Sequence, residues 1–363
     1  MPITADPSRW PVWPPCDPAI ERSIQEAWRS GQWGRYHSDL AAELTRIIQD
    51  RYDVSHVRLC CSGTMAVESA LRGVGVGRGD EVVVAAYDYP GNLRCIELLE
   101  ATPVLVDVEC NGVTICPASL RQLDRPGIKA VLFSHLYGQL ADVQSLRQIC
   151  QDRGWMMIED ACQVPGAGWI EGDAFRPVGT YSDVATLSFG GSKPLTCGSG
   201  GAVVTRDDRI AARIRSYAER PSDTFGLSPL QCAALIPQWP TLATMDDHRR
   251  ESVRRLIQLD WQSIGVRIVQ QNWTDLRTSY YKLAMAVSDP IQRADLRHQM
   301  SAIGITLGEG YRSSHRMSQR RVHKPLSLAN AATLADQIVL MDHRYLLAEE
   351  VAERVGQFVR GHS

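Results

Sequence analysis

The sequence has little of what marks a nucleic-acid binder, a membrane protein or a disulfide scaffold. Charge of one sign is missing, since 39 Lys and Arg stand against 41 Asp and Glu, a formal net charge of −2 over 363 residues. A chain so balanced has no general pull toward a phosphate backbone, which disfavours a dedicated nucleic-acid protein. Long apolar runs are missing too: Val82-Val83-Val84-Ala85-Ala86 falls far short of the ~18 residues a membrane span needs. The opening Met1-Pro2-Ile3-Thr4-Ala5-Asp6-Pro7 lacks a basic segment followed by an apolar one, so no signal peptide is expected. Ten cysteines are present but none form a C-x-x-C pair, and Cys60 and Cys61 close an apolar run. Buried free thiols in a reducing, cytoplasmic compartment are the expectation. Gly73, Gly75, Gly77 and Gly79 precede a strand instead of following one and do not fit G-x-G-x-x-G, which excludes the usual dinucleotide loop. Gly190-Gly191-Ser192-Lys193 lacks the spacing of a nucleoside-triphosphate loop, with Pro194 where Ser or Thr belongs. The nine histidines are scattered, with only His135 and His315 near expected loops, so no metal cluster is expected.

What is present is a globular composition, 44% hydrophobic and 22% charged, in a chain long enough for two closely packed domains. From about 56 to 205, short apolar runs alternate with helix-like stretches. The runs are 57–61, 81–86, 103–107, 129–133, 155–159, 184–188 and 201–205, and between them lie periodic segments such as Ala66–Arg72 and Val143–Arg153. This pattern predicts an α/β fold whose large domain holds a mostly parallel seven-stranded sheet between helices. The last run follows its predecessor so soon that it is expected to pair antiparallel at one side. Two helices, Ala19–Ser30 and Ser38–Arg51, precede the block. After it come helical stretches at 206–219 and 228–258, a strand at Tyr280–Val287, a helix at Pro290–Ile303 and an amphipathic helical finish over Leu334–Phe358 broken near His343–Tyr345. The expected division is a large domain over 12–236 and a smaller C-terminal α+β domain over 237–363.

Ligands of such sheets bind at the carboxyl ends of the strands. After 57–61 comes Ser62-Gly63-Thr64-Met65-Ala66, which opens a helix: either a plain N-cap or an anion site of hydroxyls and free N–H groups. Asp160 ends a strongly apolar strand, either as a capping aspartate or as the partner of a cation such as a protonated ring nitrogen. Lys193 sits in a glycine- and serine-rich loop between two strands, either as a surface lysine or as an amine nucleophile. Together, a phosphate cradle, a carboxylate and an amine are what pyridoxal phosphate requires. Tyr87-Asp88-Tyr89, at the end of the run 81–86, would add an aromatic face.

Ser62-Gly63-Thr64-Met65-Ala66, Gly77-Arg78-Gly79-Asp80-Glu81-Val82, Glu159-Asp160-Ala161-Cys162-Gln163 and Ser188-Phe189-x-x-x-Lys193 occur in order, followed by Gly198-x-Gly200-Gly201-Ala202-Val203-Val204-Thr205. This series resembles the DegT/DnrJ/StrS family of sugar and aminocyclitol aminotransferases, of the aspartate-aminotransferase fold. The opening Trp10-Pro11-Val12-Trp13-Pro14 and Ser30-Gly31-Gln32-Trp33 resemble most the branch acting on cyclitols and aminohydroxybenzoate precursors. The resemblance implies that Lys193 bonds covalently to the cofactor aldehyde and moves protons. Asp160 would pair with the ring nitrogen and Gln163 would lie beside the ring. Gly63, Thr64 and Ser188 would bind phosphate, and Tyr89 would stack on the ring face. It further implies a homodimer, a keto-sugar or ketocyclitol substrate, and glutamate or glutamine as amino donor. Three positions depart from the family pattern: Ser199 stands at a usually acidic place, Thr224 where an asparagine commonly reaches the neighbouring subunit, and Pro165 where a histidine is common. Ser199 and Thr224 leave open a cofactor-binding regulator without turnover, and a dehydratase on the same scaffold is a third reading.

Overall fold

The computed structural model describes residues 10–219, 223–269 and 276–362. Two helices come first, α1 (Pro18–Arg29) and α2 (Asp39–Tyr52). Each starts on a side chain that accepts a first-turn N–H, Asp17 from Ala19 at 2.7 Å and Ser38 from Ala41 at 3.2 Å. The alternating block runs β1 (His56–Cys60), α3 (Gly63–Gly73), β2 (Glu81–Ala85), α4 (Pro90–Leu98), β3 (Thr102–Val106), α5 (Pro117–Arg121), β4 (Ile128–Ser134), α6 (Val143–Arg153) and β5 (Met156–Asp160). A hairpin of β6 (Gly168–Glu171) and β7 (Ala174–Pro177) leads to β8 (Val184–Ser188), β9 (Gly201–Thr205) and α7 (Asp208–Ala218). Then come α8 (Pro229–Leu235), α9 (Trp239–Leu256), β10 (Val266–Ile268), β11 (Leu276–Arg277) and β12 (Lys282–Val287). The chain finishes with α10 (Pro290–Ala302), β13 (Leu307–Glu309), α11 (Ala329–Gln337), β14 (Ile338–Asp342) and α12 (Val351–His362).

Seven strands form the main sheet in the order β1-β9-β8-β5-β4-β2-β3. β2, β3, β4, β5 and β8 pair in parallel, while β9 runs antiparallel to both its neighbours, β1 and β8. The strands are mostly apolar because helices cover both faces; β3, for instance, buries Val104, Leu105 and Val106 completely. The sheet is thus the mostly parallel, seven-stranded one that the apolar runs predict.

A second sheet, β10-β12-β14-β13, carries the smaller α+β region. Its apolar residues form a core of their own, in which Leu283, Met285, Met341, Leu346 and Val355 join Trp10 from the chain's beginning. One expectation is corrected here. Ile338–Asp342 is an interior strand pairing with β12 and β13, not the first part of a helical finish. Four apolar residues in a row, Ile338 to Met341, are buried together, which a strand enclosed on both faces permits and a one-sided amphipathic helix does not. β6, β7 and β11 form a third, three-stranded sheet.

Candidate active site

Five chain segments reach one edge of the main sheet, where the parallel strands end. β1 runs into α3 through Ser62, whose hydroxyl accepts the Met65 N–H at 3.0 Å and caps the helix. The cap leaves the N–H groups of Gly63 and Thr64 in the first turn without intrahelical acceptors, on the positive end of the helix dipole. β8 delivers Ser188 beside that turn. A Cβ at Gly63 would lie 2.7 Å from Ser188 Cβ and 2.8 Å from its Oγ, so only glycine allows so close an approach. The result is a hydroxyl-lined hollow at a helix N-terminus, the geometry that holds a phosphate.

β5 ends on Asp160, which is 4% exposed. Three donors converge on its carboxylate: Asn92 Nδ2 at 2.9 Å, Ser134 Oγ at 3.1 Å and the Cys162 N–H at 3.0 Å. Ser134 is the last residue of β4 and stands directly opposite Asp160 in the strand register. Gln163 is held by its own amide, accepting from Tyr137 N at 2.9 Å and donating to Tyr311 Oη at 3.2 Å.

Lys193 lies in the loop from β8 to β9, where its N–H closes a turn onto the Gly190 carbonyl at 2.9 Å. Its ammonium lies 4.3 Å from the centroid of the Tyr281 ring. Burial lowers the Lys193 pKa, opposed by the negative charge that Cys162, Asp160 and Tyr89 can carry. Desolvation therefore enlarges the fraction of free, nucleophilic amine. Ser192 Oγ and Tyr281 Oη are 2.9 Å apart, tying the loop to the start of β12.

Gly63, Thr64, Tyr89, Asp160, Gln163, Ser188 and Lys193, all seven residues singled out from sequence, line one cavity of about 280 Å³. Tyr281 and Tyr311, from the smaller region, complete its wall. Tyr89 is 40% exposed, and its ring packs against Gly91, where a Cβ would come within 2.2 Å of it. Ser199 also lines the cavity while its hydroxyl donates to the Cys61 carbonyl at 2.7 Å. Thr224 and Pro165 do not line it. Asn92, Ser134, Tyr281 and Tyr311 carry no role assigned from sequence. All ten cysteines are free.

The sequence profile of the DegT/DnrJ/EryC1/StrS aminotransferase family matches residues 16–360. This chain belongs to that family. An L-glutamine:2-deoxy-scyllo-inosose aminotransferase of Micromonospora echinospora is 27% identical, over 96% of this chain and 88% of its own length. A protein of the same description from Streptomyces kanamyceticus is 30% identical, over 82% of this chain and 75% of its own length. The crystal structure of 3-amino-5-hydroxybenzoic acid synthase superposes with a TM-score of 0.86 at 25% identity, covering 97% of this chain and 99% of that one. Membership associates the fold with pyridoxal phosphate, and the cavity fits that group. It offers a glycine-lined helix N-terminus for a phosphate, a buried carboxylate for a cationic ring nitrogen, and an amine whose pKa is lowered.

Proposed function

We propose that this chain is a pyridoxal-phosphate-dependent aminotransferase that converts a keto group on a cyclitol or sugar nucleotide to an amine, with glutamine or glutamate as donor. The observation that carries the reading is the convergence of Lys193, Asp160 and the α3 N-terminus on one cavity at the strand ends. The substrate class follows the relatives that act on 2-deoxy-scyllo-inosose. When bound, pyridoxal phosphate supplies an aldehyde that exchanges its oxygen for nitrogen and a ring that takes up electrons during the exchange.

The chain's own residues do the rest. Gly63, Thr64 and Ser188 would hold the phosphate. Asp160, kept in place by its three donors, would hold a proton on the ring nitrogen. Lys193 would hold the aldehyde through Nζ, and the same atom would move protons. Tyr89 and Gln163 would orient the group, and the burial of Lys193 would keep bulk water from its amine. The large unit over 12–236 supplies these groups, and the small unit over 237–363 brings Tyr281 and Tyr311. A cytoplasmic homodimer completes the reading.

A pleiotropic regulatory protein of Geobacillus stearothermophilus is 30% identical over 72% of this chain, so one experiment must separate turnover from binding. Purified protein incubated with pyridoxal phosphate should become coloured, and borohydride should fix the cofactor to Lys193; glutamine or glutamate should then bleach the unreduced band. Lys193→Ala should abolish borohydride fixation. A reducible chromophore surviving in that variant refutes the assignment of Lys193, and an unbleached wild-type band refutes the transaminase.

A further inference from the structure

Asp88, between the two tyrosines at the end of β2, is a second carboxyl behind the cavity. It is 7% exposed. Its Oδ1 accepts the Tyr89 N–H at 2.6 Å, while its Oδ2 has no hydrogen-bond partner. Between Asp88 and Asp160 sits Asn92 on α4, fully buried. Asn92 Nδ2 has three acceptors within reach, Ser134 Oγ at 2.8 Å, Asp160 Oδ2 at 2.9 Å and Asp88 Oδ1 at 3.5 Å. An amide nitrogen has only two hydrogens, so the two short contacts take them and Asp88 is left out. Ser134 Oγ, which accepts from Asn92, lies within donating reach of Asp160 Oδ2 at 3.1 Å.

Donors are therefore concentrated on one carboxylate of the pair. Asp160 has three donors at 2.9, 3.1 and 3.0 Å, whereas Asp88 has one short donor, the Tyr89 N–H at 2.6 Å, and Asn92 at the limit of 3.5 Å, while Asp88 Oδ2 and Asn92 Oδ1 are both buried without a partner. Two buried carboxylates sharing an amide repel, and the one with fewer donors takes the proton. The groups facing Asp88 are Asp160 from β5, Ser134 from β4, Asn92 from α4 and the N–H of Tyr89, none of them a cation. Tyr87 at the end of its own strand and Tyr311 from the segment after β13 also feel its charge.

We propose that Asp88 is a positioning residue that holds a proton below neutral pH and so leaves Asp160 as the one charged carboxylate turned to the cavity. Burial, and after it the charge of Asp160, raises the Asp88 pKa to about 7, against the pull of Ser134, the Tyr89 N–H and Asn92. Above neutrality the Asp88 proton is lost, and a second negative charge develops behind Tyr89 and Asp160. What Asp160 is for rests on the pyridoxal phosphate reading; the proton on Asp88 does not.

Isotope-edited infrared spectra of cofactor-free protein labelled at aspartate carboxyls test this directly. Wild type at about pH 5.5 should show a protonated-acid carbonyl band that Asp88→Asn removes and that fades with a midpoint near 7. In Asp160→Asn the repelling charge is gone, so the midpoint of the same band should fall. Loaded with pyridoxal phosphate, Asp88→Asn should hold a cofactor absorbance independent of pH from about 6 to 8, where wild type shifts, while Asp88→Leu, which lacks the neutral polar group, should not restore the wild-type spectrum. No Asp88-dependent acid band at about pH 5.5, or a midpoint that Asp160→Asn leaves in place, overturns the proposal. Cofactor uptake without that band spares the functional reading and rejects this one; the band in a protein that takes up no cofactor does the reverse.

Discussion

Behind the lysine loop lies a buried polar chain whose energetics make a sharp test. Asp246 and Arg249 on α9 and His343 after β14 are each at most 1% exposed. Arg249 donates from Nη1 to Asp246 Oδ1 at 3.0 Å and from Nη2 to His343 Nδ1 at 3.1 Å. That makes Nε2 of His343 the protonated nitrogen, and it donates to the Ser192 carbonyl at 3.1 Å, next to Lys193. Burial raises the pKa of Asp246 and lowers that of Arg249, so for both partners the loss of water outweighs their mutual attraction. Such a pair adds little over an apolar replacement but is costly to break. Arg249→Met should therefore destabilise by about 3–5 kcal/mol, because Asp246 loses its ion-pair partner in the interior. Adding Asp246→Leu should recover most of that loss, giving a coupling of at least ~2 kcal/mol. At ~3 kcal/mol per molar, the single variant should unfold at roughly 1–1.7 M less urea. Single and double variants unfolded in urea, followed by tryptophan fluorescence, supply the cycle. Losses that simply add would refute the argument, since they would mean that neither charge depends on the other.

Two further outcomes follow from the same geometry. Gly63→Ala places a methyl 2.7 Å from Ser188 Cβ; about 1–3 kcal/mol of crowding there should weaken pyridoxal phosphate binding by roughly one to two orders of magnitude, and an unchanged affinity in a fluorescence titration would place the phosphate elsewhere. Asp88 has its pKa raised from 3.8 to about 7 in the fold, so between those values the folded chain binds more protons than the unfolded one and stability falls as pH rises, levelling off above about 7. At about 1.4 kcal/mol per unit, Asp88→Asn should gain about 3 kcal/mol relative to wild type between pH 5 and pH 8; urea midpoints showing the same difference at both pH values would contradict it.

The large domain was legible because parallel strands covered on both faces must be apolar throughout, and such runs are read directly. The seven runs found from sequence match the seven strands within a residue or two, down to the antiparallel β9. Ile338–Asp342 was not legible, because a short apolar run between helices looks alike as strand or helix until its partners are known. The β6–β7 hairpin was missed for a related reason: its strands are four residues each, too short to show a period. In the site, the groups proposed to touch a ligand stand next to glycines or at strand ends and carry a local signature. The groups that hold them do not. Ser134 faces Asp160 only because β4 and β5 pair in register, and Asn92 reaches both only because α4 packs over their ends. Tyr281 and Tyr311 arrive from a different sheet, more than a hundred residues from Asp160 in sequence, and no local pattern announces that.

The same burial acts with opposite sign on the two kinds of ionisable group around the cavity. It lowers the pKa of Lys193 and raises that of Asp88, in each case toward the neutral form. Among these three groups, only the carboxylate that collects three hydrogen-bond donors, Asp160, is compensated for carrying charge. A cationic ring nitrogen entering the cavity would then meet Asp160, while burial disfavours the charged form of Lys193. A second ionised carboxylate at Asp88 would add negative charge behind Asp160. Thus the reactivity of Lys193 and the proton on Asp88 are two consequences of one desolvated pocket, and they should fail together in any variant that lets water reach the ends of β2 and β5.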